Sequence, residues 1–128
     1  MLASIHLNSN KPENLEKLFN SYESKAEEPS NFEFIINTDN NDIATHKYLD
    51  SQIKKRKFNL KYIREHVGDY FSGHLNANKL LEHSHKSAYF VANISDRALV
   101  LTDNWDSILL GHKNTFSDNL FRVNCSSF

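Results

Sequence analysis

Ala88–Asp106, AYFVANISDRALVLTDNWD, is the stretch on which the reading of this chain turns. An apolar run, Tyr89 to Ile94, empties into the pair Ser95-Asp96, and a second apolar segment leads to Trp105-Asp106. A short run of β-formers that ends in polar residues reads as a buried strand. An acid at the carboxyl end of such a strand stands where open α/β sheets bind ligands, because strand ends and helix N-termini converge there on a crevice. Asp96 is therefore the leading site residue. Ser and Asp also bond nearby backbone N–H groups, so the same pair reads as a turn cap as well.

Outward from this stretch the chain alternates strands and helices. Leu2 to Leu7 reads as a short strand, after which Asn10 and Glu13 have capping-box spacing and Pro12 falls in the first helical turn. Leu15, Leu18, Phe19 and Tyr22 follow at i, i+3, i+4 and i+7, which makes one buried stripe, and Pro29 marks the exit. Phe32 to Asn37 (FEFIIN) reads as a second strand running into Thr38–Asp42, which puts Asp39 at a strand end. Ile43 to about Lys57 predicts a second helix with Ile43, His46, Leu49 and Ile53 on one side, and Leu60 to Arg64 a third strand. Gly68 and Gly73 bracket a connection, Ser72 is placed to cap, and Ala77, Leu80, Leu81 and Ser84 repeat the helical spacing before the fourth strand. Downstream, Asp103 is the expected cap of a short helix carrying Trp105, Ile108 and Leu109 and stopping at Gly111, and Leu120 to Cys125 reads as a further strand. The order β-α-β-α-β-α-β predicts an α/β fold: a mostly parallel open sheet with helices on both faces, joined by right-handed crossovers.

With 128 residues the chain has the size of one domain, expected over 1–128, and can bury a core without disulfides. Fifteen Lys plus Arg against sixteen Asp plus Glu leave a formal charge of -1, so no global field draws it to nucleic acid or an anionic membrane. Any anionic ligand must be held locally. Cys125 is the only cysteine, which excludes an internal disulfide and a Cys-rich zinc site and suits a reducing compartment, so cytoplasm is the expected location. MLASIHLNSN lacks the features of a signal peptide, and no apolar run approaches the roughly 20 residues that span a bilayer.

Several other features read more simply than their chemistry suggests. His83 and His85, two apart on a helix, point to different faces and carry no zinc spacing with His74. Lys54–Lys57, followed by Phe58 and Tyr62, mixes basic and aromatic residues as a nucleic-acid surface does, but at a helix C-terminus it reads as a solvated cationic face. His6 lacks a nucleophile motif and reads as a packed or hydrogen-bonded side chain, and Trp105 reads as a core anchor. Gly111–Thr115 lacks the first glycine of a P-loop, and no Gly-x-Gly-x-x-Gly is present, which argues against ATPase and dinucleotide-dehydrogenase chemistry.

In their order, four segments resemble the nucleotide-binding half of GT-A glycosyltransferases, especially family-2-like enzymes: SIHLNSNKPENLEKLFNS, FEFIINTDNND, FSGHLNANKLLEHS and the Ala88–Asp106 stretch. The likeness runs from Ala3 to Leu110. It implies a GT-A-like, Rossmann-like fold in which Leu7, Ser9 and Asp39 hold the base and ribose and Arg64 approaches the nucleotide. It further implies that Ser95-Asp96 stands at the diphosphate, Asp96 binding Mg²⁺ or Mn²⁺. A divalent cation there neutralises the charge that develops on a departing diphosphate. The family's Asp-x-Asp stands here as Asn93-Ile94-Ser95-Asp96, with a single acid.

The resemblance thus implies a glycosyltransferase that binds a nucleoside-diphosphate sugar and transfers the hexosyl group to an acceptor. The acceptor region and general-base carboxylate of inverting members lie beyond the matched stretch, so no catalytic residue is assigned and the acceptor-binding C-terminal part is expected to be absent. Neither Asp103 nor Asp106 is read as a base, and Asp103 is read as a helix cap. The alternative is a non-catalytic, truncated binding module that needs a partner chain, a second copy or a missing C-terminal region to cover its sheet edge.

Overall fold

The protein is described by a computed structural model over residues 1–66, 68 and 72–123. In chain order the elements are β1 (Ala3–Asn8), α1 (Pro12–Lys25), β2 (Phe32–Asn37), α2 (Ile43–Ile53), β3 (Asn59–Ile63), α3 (Gly73–Glu82), β4 (Phe90–Asn93) and α4 (Trp105–Leu110). The four strands are parallel throughout, in the order β3-β2-β1-β4. From β1 the chain moves outward to β2 and β3, then returns past β1 to lay down β4. With right-handed crossovers, that reversal places α1 and α2 on one face and α3 on the other. It also makes the β1/β4 boundary the switch point, where a crevice opens at the carboxyl ends.

Side chains alternate across a strand, so each face has its own set. Toward α1 and α2 stand Ala3, Ile5 and Leu7 of β1, Phe32, Phe34 and Ile36 of β2, and Leu60 of β3, all buried in one cluster. Against them α1 buries Leu15, Leu18, Phe19 and Tyr22, the stripe that the spacing predicts. Phe34 collects Phe19 at 5.2 Å, Tyr22 at 5.1 Å and Phe58 at 5.2 Å between ring centroids. Trp105 meets Phe32 at 5.0 Å and donates its Nε1–H to the Tyr22 carbonyl at 3.0 Å, so it is the anchor expected of it. Each such side chain contributes about 1.5–3 kcal/mol by leaving water. The opposite face presents Ser4 and His6 of β1 and Glu33, Ile35 and Asn37 of β2, all buried, under α3.

Local chemistry departs from the sequence reading at several helix ends. Lys11, not Asn10, is the N-cap of α1, and it makes no side-chain cap bond. The residue before a proline is pushed to extended backbone, so the helix cannot start until Pro12. Asn10 instead accepts from the Asp39 N–H at 2.9 Å. In α2 the inward face is rotated from the predicted one: Thr45, His46, Leu49 and Gln52 are buried, whereas Ile43 and Ile53 are 62% and 44% exposed. Asp42 caps this helix through Thr45, and it ends at Ile53 rather than Lys57. Arg56 is not part of a solvated face: its side chain is 7% exposed and ties α1 down through Glu16 at 3.1 Å and Asn20 at 2.7 Å.

Ser72 occupies the N-cap position of α3, which buries Asn76 and Leu80 but leaves Leu81 52% exposed. Asp103 does not cap α4. Asn104, in the left-handed region at φ 55°, is the N-cap, while the 84%-exposed Asp103 pairs with Lys25. Asp106 is the acid that matters there: buried, it accepts the Glu27 and Glu28 N–H groups at 2.8 and 2.7 Å and so staples α4 to the α1–β2 connection. Leu120–Val123 form no strand, and Asn124 and Cys125, the rest of that predicted element, lie outside the described residues.

Candidate functional site

At the switch point the connections leaving β1 and β4 close on each other. Ser9, buried just past β1, is fixed by its own N–H donating to the Asn37 carbonyl of β2 at 3.1 Å. Its hydroxyl donates to Asp96 Oδ2 at 2.8 Å and accepts from the Lys11 N–H at 3.2 Å. Asn14, in the first turn of α1, donates its amide to the same Oδ2 at 3.3 Å. One carboxylate oxygen of Asp96 is therefore saturated from the β1–α1 side, while Oδ1 carries no hydrogen bond among the described residues. Ser95 plays the turn-capping part: its Oγ accepts from the Arg97 N–H at 3.1 Å. The turn reading of this pair therefore holds for Ser95, while Asp96 is turned to the β1–α1 connection.

Ser9, Ser95 and Asp96 line a cleft of about 480 Å³ bounded also by Asn8, Asn10, Lys11, His66 and Arg97. Two of its side chains, Lys11 and Arg97, are cationic, against the single carboxylate of Asp96. A cavity of about 570 Å³ lies at the opposite edge of the sheet, between Asn20, Glu23, Pro29 and Lys57. It meets the negative C-terminal end of α1, whereas the cleft meets that helix's positive N-terminal end. The cleft is accordingly the anion-compatible site.

The second rim is built after β2. His66 Nδ1 lies 2.7 Å from Asp39 Oδ1, and Asp39 is 43% exposed. Behind it, the Thr38 hydroxyl donates to the Ile63 carbonyl at 3.1 Å, so it accepts from His46 Nε2–H at 2.8 Å. The same nitrogen lies 3.1 Å from the Asp39 carbonyl. His46 thus holds the turn that presents Asp39. Asn37 completes this rim, accepting from the Glu65 N–H at 3.0 Å and donating to Asn76 of α3 at 3.3 Å.

Of the residues predicted from the sequence, Ser9, Ser95 and Asp96 line the cleft, and Asp39 borders it through Asn10 and His66. Leu7 is buried in the core beneath it. Arg64 stands apart, its guanidinium over the Tyr62 ring at 5.7 Å, and Tyr62 in turn donates to Asp50 at 2.7 Å. His66 and Arg97 of the cleft lining, and Asn14 and His46 that bond Asp96 and the Asp39 turn, were not named as candidates by the sequence reading. Asn14 had a usable signal, its place in the first turn of a helix leaving a site strand. His66 and His46 had none, because their role depends on how β2 and β3 pair.

Mg²⁺ and Mn²⁺ favour hard oxygen ligands. Asp96 supplies one such oxygen in Oδ1, and among the described residues no three His, Cys, Asp or Glu side chains gather as a metal-binding group. The donor set suits a cation that takes its remaining ligands from phosphate and water. No helix among the described residues is long and apolar enough to cross a membrane.

No protein-family model matches the sequence, and no curated protein matches it. Solved structures do. S. aureus TarS 1-349 superposes with a TM-score of 0.59 at 18% identity over 81% of this chain and 29% of that one. A further TarS structure gives 0.66 at 17% identity over 88% and 19%, and TarS 1-349 in complex with UDP gives 0.64 at 17% over 88% and 32%. This chain thus spans about a third or less of the TarS chains it matches. Likeness at this level of identity concerns the fold alone: the chain shares with TarS an α/β arrangement, here a parallel sheet flanked by helices.

Proposed function

We propose that the β1/β4 cleft binds a nucleoside-diphosphate sugar, and that the chain is the donor-binding part of a GT-A-type, family-2-like glycosyltransferase that passes the sugar to an acceptor. The observation that carries this reading is the convergence of Ser9, Asn14 and Asp96 at the switch point, in a cleft that also holds Lys11, His66 and Arg97. That a protein of the same fold has been solved in complex with UDP supports it.

In this reading Asp39 and the Leu7–Ser9 strand end receive the base and ribose, the carboxylate of Asp39 offering an acceptor to hydroxyl groups. Lys11 and Arg97 face the diphosphate, whose charge they lower without donating a proton. Arg64 reaches the nucleotide by leaving its place on Tyr62. Ser9 and Asn14 hold Oδ2 of Asp96, which orients Oδ1 toward the cleft as the single protein ligand for Mg²⁺ or Mn²⁺. When bound, that cation supplies Lewis-acid neutralisation of the leaving diphosphate.

The test is a thermal-shift panel of UDP, GDP, CDP, TDP and ADP, each with and without Mn²⁺, on the wild type and Asp96→Ala. A ligand at a hundred times its Kd adds about 2.7 kcal/mol to the folded state. One diphosphate is expected to raise Tm in a Mn²⁺-dependent way, and Asp96→Ala to remove that dependence while remaining folded. A folded wild-type sample that responds to none of the five would remove the reading.

A further inference from the structure

Beneath α3, on the face of the sheet away from the apolar core, lies a buried polar network that the cleft does not use. We infer that His6 at its centre is an acid-sensitive latch: protonating it loosens α3 from the sheet and, through Asn76 and Asn37, the segment that carries His66 into the cleft.

The way α3 is held makes this possible. Leu80 is its one buried apolar side chain, and Leu75 and Leu81 are 57% and 52% exposed. Polar contacts at both ends do the rest. At the carboxyl edge Asn76 bonds Asn37, which accepts from Glu65, and Lys79 reaches the Glu65 carbonyl at 3.3 Å. At the amino edge the Ser84 hydroxyl lies 2.7 Å from His6 Nε2, and the His85 N–H donates to Glu33 Oε1 at 2.7 Å.

His6 is 1% exposed, and its proton count follows from its neighbours. The Ser4 hydroxyl donates to Glu33 Oε1 at 2.6 Å, so it can only accept from His6, 2.9 Å away, and Nε2 must carry the ring's hydrogen. The other nitrogen, Nδ1, is buried and has no hydrogen-bond partner among the described residues. A second proton would sit on Nδ1 as a buried donor with no acceptor, inside a site that excludes water. The groups facing His6 do not rescue the cation. Glu33 on β2 is already paired with Lys61 of β3 at 3.2 Å, the His85 ring turns outward to Ser87, and β4 brings neutral Asn93 into register with His6.

Burial accordingly pushes the His6 imidazole below its ordinary 6.5, with the Glu33 charge acting in the opposite sense as the smaller effect. The sign follows. Below 6.5 a state in which α3 has lifted and His6 meets water binds the proton more readily than the docked state, so docking weakens as pH falls, by at most about tenfold per pH unit for one proton. Above 6.5 the latch is closed in full.

Amide hydrogen exchange on the whole chain tests this, with α1 as the internal reference. Between pH 7.5 and 5.5, after correction for intrinsic exchange, protection of α3 and of Glu65 and His66 is expected to fall several-fold more than that of α1. His6→Gln, which keeps a donor for Ser4 and Ser84 but does not titrate, should abolish the difference, and Ser84→Ala should lower α3 protection at both pH values. Equal pH dependence of α3 and α1 in the wild type, or an unchanged dependence in His6→Gln, would overturn the inference. Should His6→Gln not fold, ¹⁵N-histidine shifts of the wild type decide: a His6 ring that titrates while α3 stays protected overturns it, and joint titration and opening supports it.

Discussion

The two faces of this one sheet are stabilised by different physics. Toward α1 and α2, ring packs on ring, with Phe34 touching Phe19, Tyr22 and Phe58 at 5.1 to 5.2 Å. Toward α3, Ser4, His6, Glu33 and Asn37 are as deeply buried yet are held by directed hydrogen bonds, with Leu80 as the apolar contact from the helix. Apolar burial is non-directional and carries no titrating group, whereas a buried polar network stabilises only while each donor has its acceptor. One face is suited to carrying the stability of the fold, and the other to being adjustable next to the cleft.

The largest test of that contrast is Phe34→Ala, which opens a cavity in the aromatic cluster. A loss of about 3–5 kcal/mol is expected in chemical denaturation, and a loss below about 1 kcal/mol would mean that the core is not centred there. On the other face, Glu33→Ala leaves the Ser4 hydroxyl, the His85 N–H and Lys61 without their acceptor. About 2–3 kcal/mol is expected, tempered because Lys61 is half exposed and finds water. Its unfolding should show α3 exchanging first; uniform loosening of both faces would erase the distinction.

Acid should separate the faces in two windows. His6 has its pKa depressed by burial, so its contribution is complete above 6.5 and lost as pH falls below it. Glu33, although burial acts to raise it, is held below its ordinary 4.5 by Ser4, the His85 N–H and Lys61, so its contribution is complete above 4.5 and lost beneath. Glu16, on the α1 side, is lowered mainly by the Tyr48 hydroxyl and shares that second window. Stability measured by denaturant from pH 8 to 3 should therefore fall first with His6 and again with the two carboxylates, and His6→Gln should delete the first step alone. Asp106→Ala, which frees two backbone N–H groups, should cost about 2 kcal/mol. Asp103→Asn, removing an exposed ion pair with Lys25, should move stability by less than about 0.5 kcal/mol, read by the same denaturant midpoint.

Most of the architecture was legible because periodicity is a local record of burial. The α1 stripe of Leu15, Leu18, Phe19 and Tyr22 and the strand Phe32–Asn37 stand where the spacing places them. The errors share a cause: α2 is rotated, Arg56 is inward and Asp103 is outward because tertiary partners outweighed weak local preferences. Lys11 differs, since there a local rule about prolines was simply the stronger one.

The sequence by itself determined the α/β class, the positions of the four strands and the place of Asp96 at a strand end, since each follows from patterns a few residues long. Only the tertiary structure decided which acid does what. Asp96 is met by Ser9 and Asn14, more than eighty residues earlier in the chain, Asp106 is spent on the backbone of Glu27 and Glu28, and Asp39 is joined to His66. Those pairings arise from the strand order β3-β2-β1-β4, and no local pattern encodes the order, because it is set by which faces must be buried together.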